Sequence, residues 1–191
     1  MTSETAQRLR TSVNGAYGAA AERPADAHAF PVGERFALEV GYPPELLGRL
    51  PRASVERFAG VSNVAVFAEI VQGDLVLDLG CGAGLDSFAA GGRVIGIDFN
   101  ESMLRVASEA ASASGRSNVS FAQAAAESLP FADGAVDVAM VNGIFNLNPN
   151  RAAIFAELAR VVRKGGTVFA AELIVTRPTE TCEMGESDWF A

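Results

Sequence analysis

The sequence predicts an α/β fold: a mostly parallel sheet covered by helices on both faces, preceded by an N-terminal helical cap. After Gly73, five short apolar runs alternate with helix-like segments, the pattern that builds parallel sheets from crossover units. Before it, Pro24, Pro31, Pro43, Pro44 and Pro51 break the chain into short helical stretches. Finally, an apolar run ending at Leu79 passes directly into a glycine-rich turn.

Divided this way, the chain reads as a helical cap over residues 1–72, a ligand-binding α/β domain over 73–175 and a polar tail over 176–191. In the cap, Pro43 and Pro44 suit the first turn of a helix through Glu45, Leu46 and Leu47, because the N–H that proline lacks has no partner at a helix start anyway. The strands are expected at Leu75–Leu79, Arg93–Ile97, Val119–Gln123, Val136–Val141 and Thr167–Ile174. Between the second and third lies ESMLRVASEAASASG, a helix that Asn100 caps and Gly115 ends, with Glu101 at the positive end of its dipole. Met103, Leu104, Ala107 and Ala111 share its buried face. From Asn148 to Gly166 a second helix is expected, with Asn148 as cap, Pro149 at its first position, and Ile154, Phe155, Leu158, Val161 and Val162 as its apolar stripe. Arg163 and Lys164 stand at its negative end, and Gly165 stops it.

Composition narrows the function classes. In 191 residues, 49% are hydrophobic and 20% charged, enough apolar surface for one buried core. A net charge of −8 offers no electrostatic footprint for phosphate backbones, so no nucleic-acid partner is expected. The longest apolar stretches, such as Val64 to Val71 with Glu69 inside it, fall well short of the ~20 residues of a membrane span. The polar opening MTSETAQRLR lacks the apolar core of a secretory signal. Cys81 and Cys182 are widely separated and make neither a disulfide framework nor a paired zinc motif, so no metal site is expected. Together these point to a soluble protein in a reducing cytoplasm, with no membrane partner.

The chemistry concentrates in Leu75 to Asp86, LVLDLGCGAGLD. Gly80, Gly82 and Gly84 allow a sharp turn and close approach of the backbone to a ligand. The N–H groups of the turn and the start of the following helix favour a carboxylate or phosphate. The next strand ends VIGIDFN, which places Asp98 at the carboxyl edge of the neighbouring strand, either to accept both hydroxyls of a ribose or to serve as a turn aspartate. The spacing is GxGxG, with Leu85 where a dinucleotide fingerprint has glycine. The loop therefore suits the carboxylate of an amino-acid moiety better than a pyrophosphate, and a methyl donor better than a nicotinamide.

With DLGCGAG, GIDFNESML, AESLPF, DVAMVNGIFNL and ELARVVRKGGTVF in this order, residues 74 to about 175 resemble class I S-adenosylmethionine-dependent methyltransferases. Within that superfamily the chain most resembles arsenite methyltransferases and their relatives, through GIFNLNPNRAAIFAELARVVRKGG and, more loosely, through AYG and FALEVGYPPELL. The resemblance implies a Rossmann-like three-layer sandwich that binds S-adenosylmethionine, releases S-adenosylhomocysteine and methylates a small-molecule acceptor. It assigns Asp78, Gly80, Gly82 and Gly84 to the methionine end of the cofactor, Asp98 to the ribose, Phe99 to the adenine face, and Ala126 and Glu127 to the adenine edge. Cys81 and Met103 complete the cofactor-binding set, and Asn142 faces the methyl group and the acceptor.

Three departures from the family pattern matter. Ala125 stands where many relatives carry an acidic residue for the adenine amino group, so that contact passes to the backbone or to Glu127. Gly143 stands where arsenite methyltransferases present a cysteine, and a thiolate site for arsenic is not built from Cys81 and Cys182. After the fifth strand only TRPTETCEMGESDWFA follows, where the family continues into a helix and a strand hairpin. An uncovered sheet edge invites pairing, so either a homodimer through that edge or a weakened domain is expected.

Methyl transfer from a sulfonium needs positioning more than a dedicated nucleophile. The catalytic group stays unassigned, with Asn142, Tyr17 and His28 as candidates and Asp137 and Glu127 as further bases. His28 in AHAFP reads as a base titrating near neutrality or as an incidental loop residue, and Tyr17 as part of a lid or as packing. Cys81 reads as a small residue filling the turn or as a thiol acidified by the helix start. Trp189 and Phe190 either dock on the core or are the stub of a missing helix. Three functional readings follow: an active small-molecule methyltransferase, a cofactor-binding module that no longer turns over, and an arsenite methyltransferase-like enzyme.

Overall fold

Where the apolar period changes along the chain, so does the element. In the computed structural model, which describes residues 3–174, the first strand is preceded by α1 (Ser3–Glu22), α2 (Glu34–Glu39), α3 (Pro44–Leu47), α4 (Arg52–Val55) and α5 (Val64–Phe67). The first of these is longer than the short stretches expected, since no proline interrupts its twenty residues. Helix α3 starts at Pro44, as its missing N–H permits. Then follow β1 (Leu75–Leu79), α6 (Leu85–Ala89), β2 (Arg93–Asp98), α7 (Glu101–Ser114), β3 (Val119–Gln123), β4 (Val136–Asn142), α8 (Arg151–Val161) and β5 (Val162–Ala171).

The five strands form one parallel sheet in the order β3-β2-β1-β4-β5. Successive side chains of a strand point to opposite faces, and here both faces are apolar. Val76, Val94, Val138 and Met140 join Tyr42, Leu47, Val55, Phe58 and Val64 in one core, so the segment before β1 supplies part of the layer over that face. Leu77, Leu79, Ile97, Ala139 and Val141 meet Ile154, Leu158 and Val161 of α8 on the other. Helix α7 is capped by Asn100, whose side chain accepts from the Met103 N–H at 2.9 Å, and ends at Gly115 in the left-handed region. Met103, Leu104 and Ala107 are buried, and Ala111 is half-buried at the rim of that face.

The last helix and strand correct the sequence reading. Helix α8 spans only Arg151–Val161, and Val162, Arg163 and Lys164, expected in the helix, open β5. Val162 pairs with Val136, and the chain then bulges so that Thr167 pairs with Val138. Asp137, opposite the bulge, accepts from the Arg163 Nε at 2.6 Å and from the Leu75 N–H at 2.8 Å, which draws Arg163 out of helical register. Asn148 is not the cap: its side chain accepts from the Asn150 N–H at 2.7 Å, one turn ahead of the helix. Phe155, placed in the apolar stripe, is exposed and stacks on Phe145 at 4.7 Å. The strand ends at Ala171 rather than Ile174.

Strand order reverses between β1 and β4, and in open α/β sheets ligands settle in the crevice at the carboxyl ends of the strands at such a reversal. Strand β5 stands at the sheet edge among the described residues. Cys182, Trp189, Phe190 and the polar tail lie outside the described residues. Among the described residues, no helix is long and apolar enough to cross a membrane.

Candidate functional site

The crevice is a pocket of about 1120 Å³, counting the part open to solvent. Its floor is the end of β1 and the glycine turn, its far wall runs through Asp98, Phe99 and 124–127, and α1 covers it with Arg10, Val13 and Tyr17. The segment 57–60 and Asn142 close the near side.

The turn is tied to β2. The N–H groups of Gly80 and Cys81 donate to the Ile97 carbonyl at 2.7 and 3.1 Å, and the Gly82 N–H donates to Asp98 Oδ2 at 2.8 Å. The Gly84 N–H donates to the Cys81 carbonyl at 2.8 Å. These N–H groups, expected to hold an anionic ligand, are thus engaged within the protein. The helix behind them, α6, has only five residues and carries Asp86 in its first turn. Gly82 sits at φ +52°, and a Cβ there would meet no atom within 4 Å, so the missing side chain leaves room on the pocket side. Gly84 begins α6 and gives its space to Phe121 and Phe88 instead of lining the pocket.

Asp98 reaches the pocket with its second oxygen accepting from the Asn100 N–H at 2.8 Å. Burial raises its pKa, and the N–H groups of Asn100 and Gly82 oppose that rise. A carboxylate offers about four acceptor sites, so these two bonds leave capacity for hydroxyl donors. Phe99 is 41% exposed beside it, and Met103 is buried beneath. Ala126 and Glu127 line the far wall, and Glu127 is ion-paired to Arg10 of α1, which bridges the mouth.

Other expected residues are placed differently. Asp78 lies behind the turn, outside the pocket lining, and accepts from the Ser87 hydroxyl at 2.5 Å. Burial and the neighbouring Asp86 push its pKa up to about 8, so it keeps its proton at neutral pH. Cys81 is buried, and desolvation followed by the charges of Asp98 and Asp78 holds its thiol well above the usual range. Its thiol is thus not acidified by the helix start. Tyr17 lines the pocket and stacks on Phe30 at 4.6 Å, its hydroxyl pushed up by burial and then by Asp98 and Glu172. His28 bonds to the Arg23 carbonyl at 3.0 Å and stands outside the pocket lining. Asp137 lies at the opposite end of β4, held below the usual carboxylate range by Arg163 and then by the Leu75 N–H.

Asn142 lines the pocket, but its amide is fully engaged. Its oxygen accepts from the N–H groups of Val61 and Ser62 at 2.8 and 3.1 Å, and its nitrogen donates to the Ser62 carbonyl at 2.7 Å and to Asp86 Oδ2 at 2.9 Å. Gly60 presses so close that a Cβ there would stand 2.5 Å from Asn142 Nδ2. Asp86 also accepts from the Tyr42 hydroxyl and, at 3.0 Å, from the Ala65 N–H, and burial raises its pKa. This knot of Tyr42, Asp86 and Asn142 joins the segment before β1 to the sheet, and sequence reasoning missed it. The one local signal was a carboxylate directly after the glycine turn in an otherwise apolar helix start. Ser54 and Arg57, which line the same pocket, carried no signal at all.

Residues 70–189 match the family model described as a methyltransferase domain. The chain belongs to that family. It is 37% identical over 125 residues to the arsenite methyltransferase of Halobacterium salinarum, covering 62% of this chain and 32% of that protein. It is 36% identical over 132 residues to the demethylmenaquinone methyltransferase of Thermobifida fusca, covering 67% of this chain and 55% of that protein. Among solved structures, the arsenic(III) S-adenosylmethionine methyltransferase of Chlamydomonas reinhardtii superposes with a TM-score of 0.53 at 30% identity, covering 74% of this chain and 48% of that one. The fold is thus the Rossmann-like fold of S-adenosylmethionine-dependent methyltransferases. The chain spans about a third to just over half the length of these curated relatives.

Proposed function

We propose that this chain binds S-adenosylmethionine in the crevice between β1, β2 and β4, transfers its methyl group to a small-molecule acceptor and releases S-adenosylhomocysteine. The observation that carries this reading is the Gly82–Asp98 pair: an open, side-chain-free turn bonded to a carboxylate that keeps free acceptor capacity on the same pocket wall. Gly80, Cys81 and Gly82 would flank the amino-acid tail, Asp98 would take the ribose hydroxyls, and Phe99, Met103, Ala126 and Glu127 would bound the adenine. When bound, this cofactor supplies an electrophilic methyl on a sulfonium sulfur. The chain's own part is orientation and exclusion of water: α1 roofs the pocket, Arg10 and Glu127 latch it, and Asn142 holds the 60–62 wall in place.

A small acceptor fits a pocket that is roofed and walled in this way, and the charge of −8 disfavours polyanions. Arsenite, the acceptor named for two of the relatives above, would need several thiolates. Among the described residues Cys81 stands alone, protonated and buried, and the Gly143 position is packed against Val61. Calorimetric titration with S-adenosylmethionine and S-adenosylhomocysteine, followed by transfer assays on phenol, thiol, carboxylate and arsenite acceptors, tests the reading. Binding with transfer to at least one organic acceptor is expected. Binding without any transfer would leave a cofactor-binding module, and no binding would remove the reading altogether.

A further inference from the structure

The turn keeps few donors for a negatively charged tail: of its pocket-lining residues, only Ala83 and Leu85 have backbone N–H groups without a protein acceptor among the described residues. Its N–H groups at 80, 81, 82 and 84 already donate to protein acceptors, and α6 is too short to add a useful dipole. Two further donors belong to residues that line this pocket. Ser54 is completely buried, lines the pocket, and its hydroxyl bonds to no protein atom. Buried hydroxyls are nearly always paired, so one without a partner in the wall of a pocket calls for a ligand atom that reaches it as the wall gives way. Arg57 lines the pocket three residues on, with its N–H bonded to the Ser54 carbonyl at 3.2 Å. Its guanidinium is fixed through Nε to the Ala21 carbonyl at 2.5 Å and through Nη1 to the Ala53 carbonyl at 3.1 Å. The nearest carboxylate oxygen, on Glu56, is 3.9 Å away, and Nη2 bonds to no described residue. The other arginine of the pocket, Arg10, is already paired with Glu127.

We infer that Ser54 and Arg57 form an oxyanion subsite, which takes a ligand carboxylate against the hydroxyl and the free edge of the guanidinium. This rests on the reading that the pocket holds the sulfonium nucleoside. The carboxylate comes either from the amino-acid tail of that cofactor or from an acidic acceptor beside it. A guanidinium preset by two backbone carbonyls loses little freedom on binding, which favours a planar two-oxygen partner.

Calorimetry on the full chain separates the cases. The parent, Ser54→Ala and Arg57→Gln are each titrated with S-adenosylhomocysteine, with its carboxamide analogue, and, once saturated with the nucleoside, with benzoate. If the carboxylate is the cofactor's, Arg57→Gln weakens S-adenosylhomocysteine by about 10- to 100-fold and Ser54→Ala by about tenfold, while the carboxamide binds all three proteins alike. If it is the acceptor's, both nucleosides keep parental affinity in the variants and benzoate binding is lost. Parental affinities for all three ligands in both variants would overturn the inference while leaving the cofactor pocket intact. Should the parent itself not bind S-adenosylhomocysteine, the proposed function falls and takes this subsite with it. Arg57 also fastens the end of α1, so Arg57→Gln is checked for folding; Ser54→Ala removes a hydroxyl that holds nothing in the protein and keeps the test decisive.

Discussion

Replacing Asn142 by alanine removes four hydrogen bonds that join β4 to the segment before β1. Three are to backbone groups of Val61 and Ser62 and one is to the Asp86 carboxylate. A neutral hydrogen bond contributes about 1 kcal/mol and one to a charged group about 1.5–3 kcal/mol. Val61 and Ser62 are only half-buried, so water partly replaces the lost amide and the cost falls to about 3–5 kcal/mol. For a chain of this length that lowers Tm by roughly 10–15 °C. Thermal and urea unfolding followed by circular dichroism measures it, with an unchanged m-value showing that the folded state keeps its compactness. Asn142→Asp, which sets a carboxylate against Asp86, is expected to lose stability at pH 8 and regain much of it on acidification. If Asn142→Ala melts within about 2 °C of the parent yet no longer binds S-adenosylhomocysteine, the amide serves the ligand and not the wall, and the structural role assigned to it is wrong.

Two further outcomes follow from the same geometry. Gly82→Val puts a branched side chain at φ +52° into the open side of the turn, so S-adenosylhomocysteine affinity should fall at least 100-fold for a stability cost of about 1–3 kcal/mol; Asp98→Asn should lose about tenfold or more on the ribose hydroxyls, both read by calorimetry on folded protein, and parental affinity in either would remove the proposed pocket. Asp78 has its folded pKa raised to about 8, so the folded state binds that proton more tightly than the unfolded chain does. Its contribution is complete below about pH 4 and is lost as pH rises through about 8. Asp78→Asn should therefore gain in Tm over the parent steadily from pH 5 to pH 8.5, and parallel profiles would contradict the buried protonated state.

What the residues alone determined is whatever repeats or sits close together along the chain. Runs such as Leu75–Leu79 and Val136–Val141 announce buried strands, and the glycine turn with Asp98 is legible because all its parts fall within about twenty-five residues. The start of β5 was not legible, because VVRKGG continues the helical stripe of Ile154, Leu158 and Val161 without a break. Only pairing with Val136 and the pull of Asp137 on Arg163 end the helix at Val161. Nor were the partners of the turn's N–H groups, which the sequence left open to a ligand and the tertiary structure ties to Ile97, Asp98 and Cys81. Tyr42, Asp86 and Asn142 meet across separations of 44 and 56 residues. Periodicity records which face of an element is buried, since burial recurs every two or 3.6 residues. A hydrogen bond between distant polar groups recurs nowhere, so it is decided only when the sheet brings its ends together.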